Sequence, residues 1–127
     1  DEAINLIKNL YLEGVTMAVT TSAGKEGTLL ILEKAGVDKM FKTIVTREDC
    51  TNLKPHPEPY LTTAEKLEIA PEYCVVLEDT ALGVEAAKAA GMYCIAVPNE
   101  YTKDQDFSKA DAVVQSAKEV ESLVEFV

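Results

Sequence analysis

The sequence predicts an α/β fold, a doubly wound parallel sheet with helices on both faces, and three observations carry that reading. Short β-branched or apolar runs alternate with helical patterns along the whole chain. The connections between them are short, with no linker or low-complexity segment. The run 74–77, Cys-Val-Val-Leu, is continuously apolar, as expected of a strand buried on both sides.

Taken in order, Ile4, Ile7 and Leu10 fall at helical spacing with Ala3 and Leu6 beside them, and Gly14 closes that helix. Residues 15–20 form a β-branched strand run, and a second helix spans 25–35 with Gly36 past its end. Residues 43–46 read as another short strand. A polar, proline-bearing loop covers 47–57. The helix after it, 58–67, carries Tyr60, Ala64 and Leu67 on one side. Strand 74–77 leads into a helix of small residues, in which Gly83, Ala86, Ala87 and Ala90 permit close approach to the sheet. Residues 92–97 are the next strand, stopped by Pro98. A polar loop covers 99–109, residues 112–114 form a last strand, and an amphipathic helix is expected over 116–126.

A chain of 127 residues, 47% of them hydrophobic, suits one domain with a real core. The formal charge is −10, from 22 acidic against 12 basic residues, which argues against nucleic acid or an anionic membrane as partner. No apolar run approaches the roughly 18 residues of a membrane span, and no signal-peptide pattern opens the chain. Cys50, Cys74 and Cys94 form no zinc or C-x-x-C spacing. Cys74 and Cys94 read as buried reduced thiols, which fits a cytoplasmic location.

Three strand ends hold residues suited to chemistry. Thr21-Ser22 stands where a strand gives way to glycine and a helix start, so hydroxyls and free N–H groups could meet an anion; both residues are also ordinary helix caps. Lys54 precedes Pro55 in a proline-rich loop that could aim one ammonium inward as a point charge for phosphate, or leave it on the surface. His56, the only histidine, reads as an exposed loop residue. Glu78-Asp79 ends the strand 74–77 in adjacent carboxylates, at the edge where open α/β sheets bind ligands. Oxygen ligands of that kind suit Mg²⁺, and the competing role is for Asp79 or Thr80 to cap the following helix.

The stretches "AVTTS" at 18–22, "LKPHPEPY" at 53–60 and "VVLEDTALGVEAAKAAGM" at 75–92 resemble, in order, the second, third and fourth motifs of the haloacid dehalogenase-like superfamily of phosphatases and phosphomutases. The resemblance covers the whole chain, including "ADAVVQS" at 110–116. It implies a Rossmann-like three-layer core in which Thr21 and the Ser22 backbone bind a phosphoryl group. Lys54 would neutralise the phosphoryl oxygens and the nucleophile, and Glu78 and Asp79 would hold Mg²⁺. The family's nucleophile, an aspartate in a strand-end D-x-D, has no counterpart here, because Asp104-Gln105-Asp106 follows no apolar strand.

The resemblance therefore implies that residues 1–127 are the carboxyl-terminal part of such a core, which begins after a helical cap. An amino-terminal strand would then lie between the strands ending at Thr20 and Leu77, and the chain's opening on Asp1 rather than Met agrees with a partial chain. The function expected of the parent protein is Mg²⁺-dependent hydrolysis of small phosphorylated metabolites, sugar phosphates among them, through an aspartyl-phosphate. Two alternatives stay open, a phosphomutase of the same family and a non-catalytic fragment or binding module. The family's sugar phosphomutases carry Ser-Lys-Asn after the second motif where this chain has Ala23-Gly24-Lys25, which favours the hydrolase.

Overall fold

The computed structural model describes residues 1–124. Helices α1 (Glu2–Leu12), α2 (Lys25–Ala35), α3 (Glu58–Leu67), α4 (Ala81–Ala89) and α5 (Lys118–Val124) alternate with strands β1 (Ala18–Thr20), β2 (Thr43–Val45), β3 (Val75–Glu78), β4 (Tyr93–Ala96) and β5 (Ala112–Val113). Every element expected from the sequence is present. Of the last helix, expected to 126, Glu125 and Phe126 lie outside the described residues.

Strand β1 is shorter than its β-branched run because the chain is still closing α1 at Val15. Gly14 takes the left-handed conformation (φ +81°), and the Val15 N–H returns to Leu10 O at 3.0 Å. Strand β3 runs one residue further than the apolar run, so Glu78 is itself a strand residue paired with Ala96.

All pairings are parallel, as the alternation predicts, but they fall into two sheets, β1–β2 and β3–β4–β5. Among the described residues no ladder joins β1 to β3. Helices α3 and α4 cover one face, where Tyr60, Ala64, Val76, Val84, Cys94 and Ala96 form the main core. Helices α1 and α5 cover the other face over β4 and β5, through Leu6, Ile95, Val114 and Val120.

Burial of β3 on both sides does not hold. Val76 and Glu78 are buried, whereas Val75 and Leu77 are 44% and 41% exposed, because α1 and α5 sit over Ile95 and Val114 rather than over β3. Cys94 is buried as expected, but Cys74, at the mouth of the strand, is only half-buried. Burial raises both thiols above the ordinary range, Cys94 to about 12 with help from the Glu78 and Asp111 charges, so both stay protonated.

Candidate active site

The carboxyl ends of β1 and β3 meet on one side chain. Lys54 is carried inward by the loop before α3 until its side chain is 14% exposed. Its Nζ donates to Thr20 O at 2.9 Å, at the end of β1, and to Glu78 Oε2 at 2.5 Å, at the end of β3. The ammonium also lies 4.8 Å from the centroid of the Tyr60 ring. One cation thus bridges two strand ends that share no backbone hydrogen bonds.

Glu78 is 7% exposed, and its Oε2 accepts a second hydrogen bond from the Tyr60 hydroxyl. Its carboxylate lies flat on the first turn of α4, where a Cβ on Gly83 would come within 2.0 Å of it. Only glycine fits there. Asp79 follows the strand and is exposed, with Oδ2 accepting from Asn99 Nδ2 at 3.0 Å.

The capping role falls to Thr80, whose hydroxyl accepts from Gly83 N at 3.0 Å, so Asp79 is left out of the helix. Glu78 Oε1 and Asp79 Oδ1 have no protein donor among the described residues. No group of three or more His, Cys, Asp or Glu side chains gathers into a cation site among those residues. The donor set fits Mg²⁺, which takes one or two carboxylates and fills its shell with water and phosphate oxygens.

Thr21 stands one residue beyond the Lys54 contact. Its N–H extends the pairing of β1 to Val45 O at 2.9 Å, and its hydroxyl accepts from Ala23 N at 3.1 Å. It is not the cap of α2, a position held by Gly24 without a side-chain bond. The start of α2 is less open to anions than the sequence suggests, because Glu48 Oε1 already takes the Lys25 N–H at 2.9 Å. A hydrogen bond from its own backbone N–H, then that from Lys25, with help from Thr46 Oγ1, hold the Glu48 carboxyl below its usual range. Ser22 Oγ, by contrast, is buried with no partner.

His56 is exposed and uses Nδ1 to accept the Glu58 N–H at 3.0 Å, at the start of α3. Asp104 and Asp106 are exposed in a surface turn, and Asp106 accepts from Ser108 N at 2.9 Å. The structure therefore brings Thr21, Ser22, Lys54, Glu78 and Asp79 to the carboxyl ends of β1 and β3, and leaves His56 and the D-x-D exposed in loops. Two members escape sequence reasoning. Tyr60 sits at an apolar helix-face position that packing alone explains, and Asn99 belongs to a polar loop distant in sequence from Asp79.

Residues 1–97 match the family model described as haloacid dehalogenase-like hydrolase. The chain belongs to that family. Among similar proteins, the "CBBY-like protein" of Arabidopsis thaliana is 39% identical over 114 residues, covering 85% of this chain and 34% of the relative. The "putative phosphatase YhcW" of Bacillus subtilis is 34% identical over 118 residues, covering 93% of this chain and 52% of the relative. Among solved structures, CbbY from Rhodobacter sphaeroides in complex with phosphate superposes with a TM-score of 0.86 at 30% identity, covering 91% of this chain and 53% of that one. The haloacid dehalogenase-like chain described here thus spans about a third to a half of the length of these relatives.

Proposed function

We propose that this chain supplies the phosphoryl-binding and metal-binding side of a phosphohydrolase that acts on small phosphorylated metabolites, and that the nucleophile lies on a strand outside residues 1–127. One observation carries the reading. Lys54 joins Thr20 O and Glu78 Oε2, the ends of two strands with no ladder between them among the described residues, which supports a further strand between them. Relatives of greater length named as phosphatases, such as the phosphoglycolate phosphatase of Escherichia coli at 29% identity, support it.

In this reading Thr21 and the backbone at Ser22 hydrogen-bond the phosphoryl oxygens, and Lys54 sets a compact positive charge against them and against the attacking carboxylate. Glu78 and Asp79 would hold Mg²⁺, which when bound offsets phosphoryl charge and orients the group for in-line attack. Phosphoryl transfer needs little from the protein beyond such placement and charge. The attacking carboxylate would form a bond to phosphorus as the substrate's P–O bond breaks and its alcohol leaves, and water would then attack the acyl phosphate, releasing inorganic phosphate and restoring the carboxylate.

The experiment is to mix the intact protein carrying this sequence with a phosphorylated substrate, trap with borohydride and map the products by peptide mass spectrometry. An aspartate outside residues 1–127 converted to homoserine is the expected result. Conversion of Asp104 or Asp106, or of none, overturns the reading.

A further inference from the structure

Tyr60 is more than a core residue. Its ring is 5% exposed and packs within the α3–α4 face of the sheet, yet its hydroxyl leaves that apolar cluster to reach the buried carboxylate of Glu78. Two donors of different kind therefore share Glu78 Oε2, the Lys54 ammonium at 2.5 Å and the neutral phenol. Facing a carboxylate oxygen, the phenol is the donor of the pair. With Gly83 as the floor, the carboxylate has a seat built from three sides.

We propose that the Tyr60 hydroxyl is a positioning residue for the metal site, holding Glu78 by Oε2 so that the carboxylate stays fixed beside Asp79 rather than closing onto Lys54 alone. The proposal rests on the metal reading given above. Without the hydroxyl, Glu78 Oε2 keeps only its bond to Lys54, already 2.5 Å long, and the carboxylate loses one of the two contacts that fix its orientation. The second metal-ligating carboxylate is then free to turn away from Asp79.

The test is Tyr60→Phe in the intact protein, which preserves the ring under the Lys54 ammonium, with Tyr73→Phe on an exposed tyrosine as control. Mn²⁺ binding is titrated by electron paramagnetic resonance, and thermal unfolding is followed without metal. A hydrogen bond to a charged group supports a loss of Mn²⁺ affinity of about tenfold or more in Tyr60→Phe, with Tyr73→Phe matching the wild type. Unchanged Mn²⁺ affinity with only a lower melting temperature would make Tyr60 a packing residue and overturn the proposal. If the wild type itself binds no Mn²⁺, the metal reading fails and this proposal fails with it.

Discussion

Lys54 shows how much a single side chain can be asked to do. From the sequence it is a charge on a loop whose prolines set their own shape, so removing it should cost rate and little stability. The geometry changes the second half of that expectation. Lys54 is one partner of a nearly buried pair with Glu78, and taking away one partner of such a pair costs roughly 3 kcal/mol. Lys54→Ala is therefore expected to lower the melting temperature as well as to abolish turnover. Lys54→Arg should fold better yet remain slow, since a planar fork cannot occupy the place of an ammonium held between two oxygens and over a ring. Calorimetry alongside phosphate-release assays separates the two effects. Asp79 makes the complementary case. Because Thr80 caps α4, Asp79→Asn should leave stability nearly unchanged while Mg²⁺ affinity and rate collapse, whereas Thr80→Ala should cost about 1 kcal/mol and leave metal affinity alone. Equal metal affinity in wild type and Asp79→Asn would remove Asp79 from the site.

Among the elements, α4 binds the site to the core. Its first turn passes so close to Glu78 that Gly83→Ala must push the carboxylate out of its seat, which predicts lost Mg²⁺ affinity and a destabilisation of about 1–3 kcal/mol. At the other end of α4, Lys88 donates to Asp111 Oδ2 at 2.7 Å, and the same oxygen accepts from Cys94 N at 2.8 Å, tying the helix to β4 and the start of β5. The hydrogen bond from Lys88, and then that from Cys94, lower the Asp111 pKa in the folded state. A lowered carboxylate pKa gives stability that is present above the ordinary aspartate value and is lost as pH falls through the folded one. Acid unfolding should accordingly be shallower in Asp111→Asn, as measured by circular dichroism against pH. The elements themselves were legible because strand and helix periods differ, and Thr21, Lys54, Glu78 and Asp79 were legible because each ends or follows a strand or, for Lys54, lies in the proline-rich loop leading into a helix. The exposure of Val75 and Leu77 was not, since an apolar run states what can be buried and not which helices lie over it. Nor was the Tyr60 contact, because an apolar helix position is satisfied by packing and gives no sign of where a hydroxyl ends.

At the scale of the molecule, the chain carries 22 acidic against 12 basic residues, so the proposed attraction of an anionic substrate would have to be local, through Lys54 and a bound cation, against the overall field. Lys54 links the ends of β1 and β3, which share no ladder among the described residues, and the backbone groups of an edge strand need partners. The central claim is the proposal that a strand bearing the nucleophile lies between β1 and β3. The direct measurement is phosphate release from a panel of phosphorylated metabolites, with and without Mg²⁺, by the intact protein and by a sample shown by mass to contain residues 1–127 alone. The account predicts Mg²⁺-dependent release by the intact protein and none by residues 1–127. Turnover by those residues on their own, or none by the intact protein across the panel, would contradict it.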